Sequence, residues 1–291
     1  MRTRPLGPGA PDVSTIGLGG MPLSFADRPA EARAVSVIHA ALDAGMTLID
    51  TADVYCLDDN DIGHNERLIA RALASWPGDR GSVIVATKGG LTRPGGRWER
   101  NGRPEHLRAA CERSLKALGV GHIDLYQLHA PDPAVPFAES VGAIAELQRE
   151  GKVRRVGLSN VSVAEIKVAQ DIVEVVTVQN RLSPFFREAL ETGVVNYCAN
   201  KAIGFLAYSP VGGRQLNKKL PDHPAVKPIA DRIAASAHAV VLAWVLAQGP
   251  SVIAIPGART VEHALDSASA ADLVLSEQEL KTIAAADFQR V

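Results

Sequence analysis

Residues 46–50, MTLID, run directly into residues 51–55, TADVY. An apolar run that closes on a carboxylate, Asp50, with a tyrosine, Tyr55, five residues further on reads as a buried strand. Its C-terminal end opens into a reactive loop. Two later runs end in the same manner: residues 83–88 (VIVATK) stop on Lys88 and residues 124–129 (DLYQLH) stop on His129. An acid, a phenol, an amine and an imidazole at successive strand ends converge only if the strands are parallel with their C-terminal ends together. That is the layout of an α/β (β/α)8 TIM barrel, whose active site occupies that face.

The flanking sequence repeats the alternation. A turn-rich lead-in with Pro5, Gly7, Pro8, Gly9 and Pro11 precedes STIGLGG (14–20), read as the first strand. Further strands are expected at 153–158, 175–179, 203–208 and 252–255, which makes eight. Helical periodicity is expected over 29–44, 65–75, 104–118, 137–150, 163–169, 187–199, 225–237, 239–248 and 260–270, with a closing helix at 276–286. No linker, tandem repeat or low-complexity segment marks a second domain, so one barrel domain over residues 1–291 is expected.

Composition agrees. A chain of 291 residues that is 46% hydrophobic can bury a core of barrel size. Its net charge is −1 with the two signs interspersed, which argues against a nucleic-acid groove or an anionic membrane surface as partner. The first eleven residues lack the apolar segment of a signal peptide, and no run of about 18 apolar residues could span a bilayer; a cytoplasmic protein is expected. Cys56, Cys111 and Cys198 have neither paired nor zinc-knuckle spacing, so reduced thiols are expected, with Cys56 a passive neighbour of Tyr55. No strand shows the paired histidines of a metal-dependent barrel hydrolase, and no metal is expected.

A lysine that ends the run VIVAT cannot be buried as a bare ammonium, since desolvation costs several kcal/mol without a counter-charge. Asp50, at the end of the preceding strand, is the natural partner. A charged lysine beside Tyr55 should stabilise the phenolate and lower the tyrosine's pKa, making it a proton donor near neutral pH. His129 could orient a substrate oxygen or share in proton transfer. Each residue has a bland alternative: a helix N-cap, a loop aromatic, a solvated terminus, a core histidine. Their joint placement at the ends of strands two, three and four favours the functional reading.

At these residues the chain resembles the aldo-keto reductase superfamily, nearly from end to end. DTADVY (50–55), ATKGG (86–90), IDLYQLH (123–129), GKVRRVGLSN (151–160), VQN (178–180), AYSPVGG (207–213) and IPGAR (255–259) follow the family's order and spacing. The resemblance implies a catalytic tetrad of Asp50, Tyr55, Lys88 and His129. It also implies transfer of a hydride from a reduced nicotinamide to an aldehyde or ketone, with Tyr55 protonating the oxygen. No G-x-G-x-x-G opens a βαβ unit here, so barrel loops must hold the cofactor. Family likeness assigns Ser159, Asn160 and Gln179 to the carboxamide, Tyr208 to stacking on the nicotinamide, and Ser209, Pro210, Val211 and Gly212 to the pyrophosphate. Gly20, Met21 and Asp50 are expected to border the cofactor too.

At the adenosine end the chain departs from the commonest pattern. Gly257 and Ala258 replace lysine and serine, His263 replaces a frequent arginine, and Asp266 and Ser267 replace Glu-Asn. Arg259 can still grip a 2′-phosphate through its planar fork, which favours NADPH (NADP+), with His263 a weaker partner. The chain ends at Val291, soon after the last helix, so an open pocket is expected. The segment from Lys88 through WERNGRPEHLR resembles bacterial pyridoxal-reductase-like members, which implies aromatic or heteroaromatic aldehydes as small-molecule substrates. Trp98, Val54 and Met21 would line the pocket, although Trp98 could equally just pin its loop. A reading of another class is a nicotinamide-binding module that senses redox state through a partner, with little turnover.

Overall fold

In the computed structural model, which describes residues 1–288, a hairpin of β1 (Thr3–Pro5) and β2 (Asp12–Ser14) leads into β3 (Leu18–Gly19), α1 (Glu31–Asp43) and β4 (Leu48–Asp50). Then come α2 (His64–Ser75), β5 (Ile84–Gly89), a short antiparallel pair β6 (Leu91–Thr92) and β7 (Glu99–Arg100), α3 (Pro104–Leu118) and β8 (Leu125–Leu128). The next elements are α4 (Phe137–Arg149), β9 (Val156–Ser159), α5 (Val163–Gln170), β10 (Val175–Arg181), α6 (Glu188–Glu191), α7 (Val194–Asn200) and β11 (Gly204–Tyr208). The described chain closes with α8 (Gly213–Leu216), α9 (Lys227–Ile233), α10 (Ala237–Leu246), β12 (Val252–Ala254), α11 (Val261–Ser269) and α12 (Glu277–Ala285). Residues 289–291 of the expected domain lie outside the described residues.

Among the described residues, eight strands form one sheet in the order β12-β11-β10-β9-β8-β5-β4-β3, each parallel to its neighbours. Its edges meet: Ile16 bridges Ala254 and Gly19 bridges Gly257. Gly17 N–H donates to the Ala254 carbonyl at 2.8 Å and Ala254 N–H to the Thr15 carbonyl at 3.0 Å. The sheet is therefore the expected barrel. Strand alternation then sorts the side chains. Leu48, Ile84, Ala86, Leu125, Val176, Leu206 and Ile253 fill the lower barrel interior, while Ile49, Val85, Tyr126 and Leu128 face the helices. Asp50, Lys88 and Gln127 continue the inward rows at their upper ends, so a polar layer sits on an apolar plug.

Local signals explain most element ends. Pro104 opens α3, and Gly119 ends it in the left-handed region at φ 67°. Ser162 and Glu165 close a reciprocal capping box on α5. The expected helix over 187–199 is broken instead into α6 and α7, because Gly193 takes φ 77° between them. The lead-in is also more ordered than a run of turns: its hairpin caps the bottom of the barrel. Leu6 is fully buried in the interior cluster, and a Cβ on Gly204 would lie 2.0 Å from the Leu6 carbonyl oxygen. No single helix among the described residues is long and apolar enough to cross a membrane; α9 and α10, apolar together, meet at 98°, and α10 is buried in the core.

Candidate active site

The barrel brings β4, β5 and β8 to one mouth, and with them the four residues singled out at strand ends. Lys88 Nζ donates to both carboxylate oxygens of Asp50 (2.8 and 2.7 Å), to the Thr51 carbonyl (2.8 Å) and to the Tyr55 hydroxyl (3.1 Å). Lys88 is completely enclosed and Asp50 nearly so. Two amides that the sequence reading did not pair with the tetrad complete this layer. Gln179 Nε2 donates to Asp50 Oδ1 at 2.7 Å, and Gln127 Nε2 reaches the same oxygen at 3.4 Å. Gln127 could have been found from its parity, since it lies level with Lys88 on the neighbouring strand. The charged pair is thus hydrogen-bonded on several sides, the condition under which a buried ion pair is tolerated.

The electrostatics of Tyr55 correct the expectation of a lowered pKa. Burial pushes the phenol well above the usual tyrosine value, and the negative charge of Asp50 and the neighbouring Tyr208 act the same way. Asp50 already compensates the Lys88 charge, so the ammonium does not acidify the resting phenol. Lys88 is itself shifted down by burial, against the pull of Asp50. Tyr55 is consequently protonated at neutral pH. Because its oxygen accepts from Lys88, its own hydrogen is free to point elsewhere. His129 stands close, its ring edge-on to that of Tyr55 at 5.8 Å between centroids. Burial, and then the Lys88 charge, hold its imidazole well below the usual histidine pKa, so it is neutral. Its Nδ1 is buried without a partner among the described residues.

Tyr55 and His129 open onto a cavity of about 580 Å³ that is also lined by Met21, Trp98, Ser159, Asn160, Gln179, Tyr208 and Ser209. The structure therefore gathers half of the singled-out residues around one space, with Asp50 and Lys88 directly beneath Tyr55. Asn160, in the left-handed region at φ 58°, donates to the His129 carbonyl (2.9 Å) and to Ser159 Oγ (3.1 Å), and its Oδ1 accepts from the Tyr208 hydroxyl (2.7 Å). Gly20 follows the end of β3 beside the tetrad, one residue beyond the level of Asp50, and its N–H donates to the Asp50 carbonyl at 2.8 Å. Pro210, Val211 and Gly212 continue from β11 into α8 and do not line the cavity. Arg259 and His263 flank the start of α11, where Arg259 donates to the Ala26 carbonyl (2.9 Å) and His263 N–H to the capping hydroxyl of Thr260 (3.2 Å). Asp27, next to Ala26, is ion-paired with Arg214.

Val54 is placed differently from expectation. It is 1% exposed and packs with Ala52, Phe25, Ile62 and Leu91 behind Tyr55, outside the cavity's lining. Where Tyr55 turns inward, its predecessor turns into the supporting wall. Trp98 does line the cavity, and it is held there by two residues that sequence reasoning missed. Phe25 stacks on it at 5.6 Å, and the Arg93 guanidinium carbon sits 4.3 Å from its ring centroid and 5.1 Å from that of Phe25. A lone phenylalanine in the segment after β3 and an arginine in a glycine-rich loop carry no pattern that would pair them. Cys56 is buried and free, its thiol pushed up by burial to about 12.

Comparison with known proteins accords with this geometry. The model of the aldo/keto reductase family matches residues 15–287. A probable aldo-keto reductase 1 from Glycine max is 34% identical over 301 residues, covering 94% of this chain and 85% of that one. Among solved structures, the thermostable aldo-keto reductase Tm1743, in complex with the inhibitor epalrestat, superposes with a TM-score of 0.83 at 28% identity, over 98% of this chain and 99% of that one. An aldo/keto reductase from Klebsiella pneumoniae in complex with NADP and acetate gives 0.80 at 28% identity, over 97% and 93%. A barrel with an acid, a phenol, an ammonium and an imidazole at its mouth defines the class, and the chain belongs to the aldo/keto reductase family.

Proposed function

We propose that this chain is an NADPH-dependent oxidoreductase that reduces aldehydes and ketones to alcohols, with Tyr55 as the proton donor. The observation that carries the reading is Lys88 Nζ seated between the Asp50 carboxylate and the Tyr55 hydroxyl beneath an open cavity. Tyr55 holds a transferable proton. As that proton leaves, the charge left on the phenolate forms 3.1 Å from an ammonium already in place, so no reorganisation is needed at that moment. The Asp50 carboxylate favours the charged ammonium and fixes it, and Gln127 and Gln179 hold that carboxylate in place. His129, neutral and close to Tyr55, can hydrogen-bond a carbonyl oxygen and orient it.

The donor set fits a nicotinamide. Ser159, Asn160 and Gln179 present the donors and acceptors that a carboxamide needs, and Tyr208 presents a flat ring beside them. NADPH bound there supplies the hydride, and the Klebsiella pneumoniae relative with NADP supports that choice of cofactor. Arg259, with one bond spent on Ala26, retains N–H groups for a 2′-phosphate. Trp98 and Leu91 at the mouth, with Phe25 stacked behind Trp98, favour aromatic or heteroaromatic aldehydes, pyridoxal among them. The buried free thiols suit a reducing compartment such as the cytoplasm. Steady-state oxidation of NADPH in the presence of benzaldehyde or pyridoxal tests the reading. Turnover of either is expected; tight NADPH binding without turnover of any carbonyl compound would favour the redox-sensing module.

A further inference from the structure

We infer that the preferred substrates carry a carboxylate remote from the reacting carbonyl, and that Arg181 and Arg100 at the cavity mouth bind it. This rests on the carbonyl-reductase reading and names the substrate class of that same cavity. The charged side chains that line the space above the tetrad are Glu99, Arg100 and Arg181. Glu99 is already neutralised, because Arg97 donates to its carboxylate through Nε (3.2 Å) and Nη2 (3.1 Å). Arg100 and Arg181 have no ion-pair partner among the described residues, and beneath them Lys88 and Asp50 cancel each other. Asp132 offsets part of the Arg100 charge, and the cavity mouth keeps a net positive charge, carried chiefly by Arg181, that attracts an anion into it.

Their positions are specific. Arg181 ends β10, two residues beyond Gln179, whose amide touches Asp50; along a strand that is about 7 Å above the catalytic layer. Its guanidinium carbon lies 4.5 Å from the Phe186 ring centroid and 5.5 Å from that of Tyr208. A guanidinium laid over aromatic rings keeps its N–H edge available and forfeits little freedom on binding. Arg100 comes from the other side, on β7, two residues from Trp98. The rise from the catalytic layer to Arg181 is about the length of one para-substituted ring, and Trp98, which lines the cavity and is backed by Phe25, gives such a ring an aromatic wall. The planar fork of arginine matches a carboxylate through paired N–H donors.

The test compares kcat/KM for 4-formylbenzoate and its methyl ester, two aldehydes of similar shape, at low ionic strength. The acid is expected to be preferred by about tenfold or more, the preference shrinking as salt is added and falling toward unity in Arg181→Met and in the double variant with Arg100→Met. Because the ratio is read, a general loss of activity in the variants cancels. A wild-type ratio of one or less, or a preference that survives both substitutions, overturns the inference. If neither aldehyde were reduced, the carbonyl-reductase reading would fail, and quenching of the Trp98 fluorescence would still decide. Saturable quenching by benzoate but not benzamide, lost in Arg181→Met, supports the anion site; equal or absent quenching by the two overturns it.

Discussion

Tyr55 is protected by burial from losing its proton at ordinary pH, and His129 is protected from gaining one. Both shifts widen the window in which the site is in one protonation state. The rate of carbonyl reduction should therefore be level over roughly pH 6 to 9, with no inflection near the usual histidine value of 6.5, and should fall only at alkaline pH as the Tyr55 and Lys88 pair loses a proton. A kcat/KM profile against pH checks this; a clear inflection near 6.5 would mean that His129 titrates. The same depressed pKa affects stability. Below 6.5 the unfolded chain takes up a proton at this position that the folded one refuses, so the contribution is complete above 6.5 and is lost as pH falls. At the far end of the site, Arg259→Ala should weaken NADPH about tenfold or more while sparing NADH, measured by fluorescence titration. Equal weakening of both would remove Arg259 from the phosphate. The tetrad was legible in the sequence because each member ends an apolar run or follows one, where a polar group is conspicuous. Gln127 was legible only through its register with Lys88; Phe25 was not, since its partner Trp98 lies far along the chain, nor was Arg93, since a glycine-rich loop has no period that would place it on a ring.

At the level of elements, periodicity located the barrel strands and most helices, because each strand buries both faces and each helix covers one side of the sheet. It did not reveal the β1–β2 hairpin. Three-residue strands among prolines and glycines show no period, and what orders them is tertiary: Leu6 enters the barrel bottom, and Arg4 donates to the Gly249 (2.9 Å) and Leu246 (3.0 Å) carbonyls. Leu6→Ala should cost about 2–5 kcal/mol, as for other fully buried leucines, with kcat little changed because the hairpin is at the opposite end from the tetrad. Urea unfolding alongside steady-state kinetics separates the two effects. An unaltered midpoint would show that the hairpin does not seal the core.

For the whole molecule, the barrel divides its labour by direction. The N-terminal ends of the strands are closed by apolar packing and a hairpin, whereas the C-terminal ends carry a polar layer under an open cavity. The direction was legible in the sequence, since the acid, lysine and histidine all stand at C-terminal ends of runs. The width and charge of the cavity were not, because they depend on how the segments after β3, β5 and β10 meet above it. Everything functional proposed for this chain depends on a phenol proton delivered from beside a fixed ammonium. The most direct test is single-turnover reduction of an aromatic aldehyde by Tyr55→Phe with saturating NADPH, alongside a titration of NADPH binding. A loss of rate on the order of 10²–10⁴ with cofactor affinity nearly intact is expected; a rate within a few-fold of the wild type would contradict the assignment of Tyr55 as the acid.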